Sequence, residues 1–294
     1  MKSGFVAITG RPNAGKSTLL NKIVGEKVAI VSNKPQTTRT KILGIHTTED
    51  CQTVFIDTPG IHKPHNKLGE RMEKYISSAV DGIDVLIYVI DCGIYENELE
   101  KEKYALSGLK SGGAPVILAI NKVDTVNKSD LLPLIDKLSG ICDFAEIIPI
   151  SAQKGINVDE LLKLVEGYLP EGPKYFESDA VTDQPERQIA AEMIREKALR
   201  LLNREVPHGI AVSVEKMSER SDGLYEISAV IYCEKSSHKR IIIGKGGEKL
   251  KDIGRRARQD IERFLDAKVY LELWVKVKED WRNRENFIRD VGFE

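Results

Sequence analysis

GRPNAGKS, residues 10–17, decides the fold of the first half of this chain. It fits G-x-x-x-x-G-K-[S/T]. An apolar run at 5–9, FVAIT, precedes it and a helical pattern follows, which is the strand-loop-helix context such a loop requires. Successive backbone N–H groups in that conformation form a concavity for anions, assisted by the N-terminus of the next helix. The expected phosphate-binding set is therefore Gly10, Arg11, Pro12, Asn13, Ala14, Gly15, Lys16, Ser17 and Thr18. Lys16 would neutralise β- and γ-phosphates, and the Ser17 hydroxyl would ligate Mg²⁺.

Three more motifs follow, each placed at the end of an apolar run. Asp57-Thr58-Pro59-Gly60 comes after TVFI at 53–56. Asp57 would hold Mg²⁺ through a water, and the Gly60 N–H could reach a γ-phosphate, with Ile61 next in line. Asn121-Lys122-Val123-Asp124 comes after VILAI at 116–120. An aspartate there can accept from guanine N1–H and the 2-amino group together, a pair adenine lacks, and unmatched buried polar groups reject the wrong base strongly. The Lys122 stem would pack on the base. Ser151-Ala152 follows EIIPI at 146–150, with the Ala152 N–H placed to donate to guanine O6. DTPG or NKVD alone is an ordinary turn. In this order, at these places, they describe a GTP site.

The runs at 5–9, 53–56, 85–90, 116–120 and 146–150 are apolar throughout, as strands of a parallel sheet covered on both faces are. Helical patterns separate most of them, as at 157–168. The fold class is α/β, a doubly wound, mostly parallel sheet carrying a P-loop. A domain is expected over 1–172 and a proline-punctuated linker over 173–185. The remainder, 186–294, has a different rhythm: helix, two strands joined at Ser221-Asp222-Gly223, short helix, GKGG, long basic helix, alternating strand at 268–278.

GKGG at 244–247 lacks the GK[S/T] ending and no long apolar strand leads into it. It fits the G-x-x-G loop of an RNA-binding KH domain, which clamps about four nucleotides by their backbone. Between 239 and 263 nine basic residues stand against four acidic ones, although the whole chain has a net charge of only -1. Such local clustering is the footprint expected for a phosphate backbone. The expected RNA contacts are Ile242 and Ile243, as an apolar floor with Ile241, then Gly244, Lys245, Gly246 and Gly247, and Lys249, Lys251 and Arg255 on the following helix. The order helix-strand-strand-helix-GxxG-helix-strand makes this an α+β, type II KH domain. Trp274 and Trp281 read as packing residues.

Charged residues at 30% and hydrophobic ones at 41% suit a folded, water-exposed protein. Cys51, Cys92, Cys142 and Cys233 are widely spaced and read as reduced thiols rather than a disulfide or zinc framework. The first residues carry no apolar leader pattern, and no stretch approaches the ~20 apolar residues of a membrane span. A cytoplasmic protein is expected, with peripheral contact to a membrane left open.

The first ~170 residues resemble translation-factor-type GTPases. Across the chain, GRPNAGKSTLLN, PQTTRTKILGI, DTPGIHKP, PERQIAAEMIREKALRLLNREVPHGIAV and RIIIGKGGEKLKDIG resemble the bacterial Era family. That resemblance implies that Thr38 closes on Mg²⁺ when GTP is bound; the residues alone show only two loop hydroxyls, Thr37 and Thr38. It also implies a partner, the 3′ end region of 16S rRNA in the 30S subunit during its assembly, and for some members the inner membrane. A Ras-like glutamine would orient the attacking water after the DxxG glycine, but here Ile61 stands there. His62 and His65 read as solvated loop residues. Asn13 occupies the position that helps ligate K⁺ in related GTPases with an apolar residue in place of the glutamine. The catalytic set is thus Lys16, Thr38, Gly60 and Asn13, in a slow, monomeric GTPase whose switch loops order with GTP. Two other readings remain open on the residues: a membrane-associated signalling GTPase, and an RNA-binding module with GTP as a structural ligand.

Overall fold

The computed structural model describes residues 1–34, 36–61, 64, 66–94, 96–107, 112–203 and 206–292. His62 and His65 lie outside the described residues. The chain divides into two compact units. The first comprises Met1–Ala29, Thr38–Lys63 and Met72–Asp183; the second comprises Ile30–Thr37, Pro64–Arg71 and Gln184–Glu294.

The first unit begins with β1 (Lys2–Thr9), α1 (Lys16–Val24), β2 (Ile42–Thr47) and β3 (Cys51–Asp57). Helix α2 (Lys67–Val80) runs into it, followed by β4 (Val85–Asp91), α3 (Glu96–Ser107) and β5 (Val116–Asn121). It ends with α4 (Lys128–Ser139), β6 (Glu146–Pro149) and α5 (Val158–Tyr168). The strands form one sheet in the order β2-β3-β1-β4-β5-β6. All neighbours are parallel except β2, which runs antiparallel to β3. The continuous apolar strands are buried on both faces because helices cover both: Val6, Ile8, Phe55, Val85 and Ile117 pack on one side with Leu19, Leu161 and Val165, whereas Tyr88, Leu118 and Ile120 pack on the other with Leu138. Helix α1 stops at Gly25, whose φ of 83° lets its N–H return to the Asn21 carbonyl.

Strand β2 is the element the apolar runs did not reveal. Its ILGIHT sequence is short, and Gly44 weakens its strand signal. The glycine is there for proximity: a Cβ on it would lie 2.4 Å from Leu20 Cδ1. Residues 173–183, expected as a linker, lie along β2 and β3. Gln52, fully buried, accepts the Tyr175 and Phe176 N–H groups at 2.7 and 3.0 Å. The Ile45 N–H donates to Val181 O at 2.9 Å, and the Thr182 hydroxyl donates to Leu43 O at 2.6 Å. The segment thus covers a strand edge that would otherwise present unpaired backbone.

In the second unit, α6 (Glu186–Leu201), β7 (Ala211–Glu219), β8 (Tyr225–Cys233) and α7 (Ser236–Ile243) precede α8 (Glu248–Leu265) and β9 (Val269–Val277). A terminal α9 spans Glu285–Asp290. The sheet order is β7-β8-β9, with β7 antiparallel and β9 parallel to β8. Helix α8 buries Ile253, Ala257 and Ile261, spaced by four, and turns its basic residues outward. They join Ile194, Ala198, Ile231 and Cys233 in one core. Trp281 is fully buried, and its Nε1 donates to Gly209 O at 2.9 Å. Trp274 departs from expectation. It is 59% exposed, because the β9 alternation that buries Val269 and Val275 sends it to the opposite face.

Candidate nucleotide site and RNA loop

The C-terminal ends of β1, β3 and β5, with the loop after β6, converge in the first unit, where open α/β sheets hold their ligands. The loop from β1 to α1 depends on Gly10 and Gly15, with φ of 139° and 100°. A Cβ on Gly10 would lie 2.2 Å from Val89 O, and one on Gly15 would lie 2.1 Å from Asn121 Nδ2. Only glycine fits either position.

Lys16 is buried, with Nζ donating to the Gly10 and Arg11 carbonyls at 3.0 Å each. Burial pulls its pKa down to about 8, against the raising effect of Asp57 and Glu102. Asp57 is also fully buried, and desolvation pushes its pKa up to about 6, against the lowering effects of Lys16, Ser17 and Thr38. The Ser17 hydroxyl donates to Asp57 Oδ2 at 2.6 Å. Thr38 Oγ1 lies 2.8 Å from Ser17 Oγ and 3.3 Å from Asp57 Oδ2, so all three expected Mg²⁺ residues converge. Asp57 Oδ1 is buried without a hydrogen-bond partner among the described residues. An orphaned carboxylate oxygen beside two hydroxyls fits a hard divalent cation that prefers oxygen ligands.

Gly60 sits against the phosphate loop; a Cβ there would lie 2.8 Å from Pro12 N and Cα. The neighbouring Pro59 and Gly60 leave Thr58 with a supporting part. The residue is fully buried and its hydroxyl donates to Ile8 O at 3.0 Å. The Ile61 N–H donates to Gly10 O at 3.2 Å, and its side chain packs with Tyr88 and Ile90. Asn13 is exposed at the loop tip with φ of 65°. The Arg11 side chain turns away from the loop to Glu102 (3.1 Å) and Glu98 (3.2 Å) on α3. The buried Tyr88 hydroxyl donates to the same Glu102 at 2.6 Å. Sequence reasoning missed this anchor, because the two glutamates are remote in sequence and look like surface charges.

At the base-reading end, Lys122 has φ of 69° and its Nζ lies 2.5 Å from Asp91 Oδ2. Asp124 is exposed, with Oδ1 accepting the Ser151 hydroxyl at 2.6 Å. Asn121 ties two loops together: Nδ2 donates to Ala14 O at 2.8 Å, and Oδ1 accepts the Ala152 N–H at 2.9 Å. The donor expected to meet guanine O6 is thus engaged by Asn121 in this structure.

In the second unit, the 244–247 loop lies between α7 and α8 with positive φ at Gly244 (74°), Gly246 (59°) and Gly247 (82°). A Cβ on Gly244 would lie 2.8 Å from Lys249 Cβ, whereas Gly246 and Gly247 face open space. Lys245, Lys251 and Arg255 are exposed and Lys249 and Ile243 are half-buried, while Ile241 is 43% exposed. Ile242 does not join them. It is fully buried in the core of this unit, since one residue in each turn of α7 must point inward, and it cannot floor a ligand site. Arg255 and Arg256 both pair with Asp252, at 2.7 and 3.0 Å, which tempers the basic surface of α8.

Two family models match the chain, one described as a 50S ribosome-binding GTPase over residues 5–122 and one as a KH domain over residues 205–282. The chain is 53% identical to the GTPase Era of Ruminiclostridium cellulolyticum over 293 residues, covering 100% of this chain and 98% of the relative. It is 53% identical to the GTPase Era of Alkaliphilus oremlandii over 295 residues, covering 100% and 99%. Among solved structures, an Aquifex aeolicus Era variant bound to GDP and aluminium fluoride matches with a TM-score of 0.95 and 42% identity, over 100% of this chain and 99% of that one. An Era complex with MgGDPNP and nucleotides 1506–1542 of 16S ribosomal RNA matches with the same TM-score, identity and coverage.

Proposed function

The chain belongs to the GTPase Era family, and on that premise we propose how its two glycine loops act together. It is a GTPase, converting GTP to GDP and phosphate with Mg²⁺. We assign it 16S rRNA near the 3′ end as ligand, bound through the 244–247 loop, and a part in assembly of the 30S subunit. The support is twofold: the Era relative solved with MgGDPNP and that RNA segment, and a GxxG loop opening a basic helix here. Action on ribosomal subunits is the ground on which a cytoplasmic location is proposed. Among the described residues no helix is long and apolar enough to cross a membrane.

The observation that carries the switch is the convergence of Thr38 on Ser17 and Asp57. Thr38 belongs to a loop between α1 and β2, so its position can depend on what the nucleotide offers. With GTP bound, Ser17, Thr38 and Asp57 would hold Mg²⁺, which would offset charge on the β- and γ-phosphates. Lys16 leaves the Gly10 and Arg11 carbonyls for the β- and γ-oxygens, and the Gly60 N–H faces the γ-phosphate. Asp124 reads the guanine edge, and the Lys122 stem covers it. Ile61 has no hydrogen-bonding group to orient water, so intrinsic turnover is slow. Asn13 would help hold a K⁺ ion, which would supply charge where an arginine finger acts in other GTPases. After hydrolysis Thr38 loses its γ-phosphate-linked partner and the loop relaxes.

The test is RNA affinity of the full chain with GDPNP and with GDP. A tighter GDPNP complex is expected, and RNA must then tighten GDPNP by the same factor. Equal RNA affinity in both states would leave a GTPase and an RNA binder with no switch between them.

A further inference from the structure

Helix α3 carries a carboxylate that is turned inward: Glu102 is only 2% exposed. Burying a charge is costly, and a well-packed apolar side chain would stabilise the first unit as well or better. Stability alone therefore gives no reason for it. Its partners do. Oε1 accepts from Arg11 Nη1 at 3.1 Å, and Oε2 accepts the Tyr88 hydroxyl at 2.6 Å. Glu98, one turn earlier on α3, takes the other Arg11 nitrogen, Nη2, at 3.2 Å. Burial and the Glu102 charge together push the Tyr88 pKa well up, so its hydroxyl stays a donor. These four residues all belong to the first unit, as do Gly10, Gly15 and Lys16 of the phosphate site.

The Glu102 charge is felt at the phosphate site. Lys16 donates to the carbonyls of Gly10 and Arg11, and Arg11 is the residue that reaches Glu102. Burial lowers the Lys16 pKa, and the charges of Asp57 and Glu102 work against that fall. A negative charge that favours the Lys16 cation disfavours the phosphates that Lys16 would hold, and away from water such repulsion is strong. Asp57 has a cation to meet. Glu102 has no place in the cation set, so something else must cancel it. The Arg11 guanidinium, which keeps its proton at any working pH, does so at the source.

We propose that Arg11 is a positioning residue that acts through Glu102, cancelling the charge of this buried carboxylate so that the loop accepts the β- and γ-phosphates. The Arg11 side chain itself touches no phosphate. Glu102 and Glu98 hold it off the loop, and its contribution to nucleotide binding is electrostatic. The proposal rests on the GTP site built on Lys16. It involves neither the RNA loop nor Thr38, so it can fail while both stand. Lys16→Ala is the control that separates the two failures: that variant must lose nucleotide if the site itself is read correctly.

The experiment titrates GDP and GDPNP, with Mg²⁺ and without RNA, into the unaltered full-length protein, Arg11→Ala, Glu102→Gln and the double variant. Arg11→Ala leaves the Glu102 charge uncancelled. It should lower affinity by about tenfold or more, with the larger loss for GDPNP, which brings one more phosphate. Adding Glu102→Gln removes that charge and should recover most of the loss. Glu102→Gln alone keeps the shape of the side chain, and its GDPNP affinity should equal or exceed that of the unaltered protein. It decides the matter by itself should Arg11→Ala fail to fold. A purely structural tie moves the other way: Glu102→Gln would weaken binding, and the double variant would bind no better than Arg11→Ala. Either result would overturn the proposal, as would unchanged affinities in a folded Arg11→Ala protein.

Discussion

The Asn121 side-chain amide donates to the Ala14 carbonyl at 2.8 Å while its oxygen accepts the Ala152 N–H at 2.9 Å. One buried side chain thus ties the phosphate loop, the base-reading loop and the loop after β6 into a single piece. Asn121→Ala orphans a carbonyl and an N–H together. Each unsatisfied buried group costs about 1–3 kcal/mol, so GDP and GTP affinities should both fall by about thirtyfold or more. Calorimetric titration of either nucleotide checks this. A loss confined to GTP would contradict it, because the tie does not involve the γ-phosphate.

The two buried charges of the phosphate site set a pH window. Asp57 has its pKa raised to about 6, so a proton competes with the cation below that value. Apparent Mg²⁺ affinity of the GDP complex should fall about tenfold per pH unit below about pH 6 and be flat above it. Lys16, with its pKa lowered to about 8, loses its proton as pH rises through that value, so nucleotide affinity should weaken on the alkaline side. Titrations with a fluorescent GDP across both limbs test the signs. Asp57→Asn should abolish the acid limb only.

Ile61 packs with Tyr88 and Ile90, so a glutamine placed there would give up apolar contact without a fixed direction toward water. Ile61→Gln should cost about 1 kcal/mol of stability and leave kcat unimproved. Replacing Na⁺ with K⁺ at equal ionic strength should raise kcat, and Asn13→Ala should remove that difference. Thermal melting and steady-state turnover are the measurements.

Two glycines of the second loop should fail differently. Gly246 has φ of 59° and open space around it, a conformation aspartate tolerates. Gly246→Asp should fold normally yet lose about thirtyfold or more in RNA affinity, through a carboxylate set against phosphates. Gly244 has φ of 74° and ψ of 178° and no room beside Lys249. Gly244→Ala should instead lower stability by about 1–3 kcal/mol. Melting curves alongside RNA titrations separate the two.

Much of this was legible because phosphate loops and buried parallel strands write themselves in local pattern: the P-loop, DTPG, NKVD, GKGG and the apolar runs all sit where expected. What escaped depended on tertiary context. Strand β2 hides because Gly44 answers to Leu20 and Val24 rather than to strand propensity. Ile242 and Trp274 show the limit of assigning faces from composition, since a turn of helix or one strand position decides which is buried. Arg195, Glu196 and Lys197 belong to no motif, and only the fold shows that they are buried.

The central claim is that the GKGG loop and the phosphate loop are coupled. The most direct measurement is GTP turnover in K⁺ buffer, with and without an RNA copying nucleotides 1506–1542 of 16S rRNA, for the unaltered protein and for Gly246→Asp. The account predicts that RNA raises kcat in the first and leaves the second at its basal rate. Tight RNA binding with unchanged turnover in the unaltered protein would contradict it.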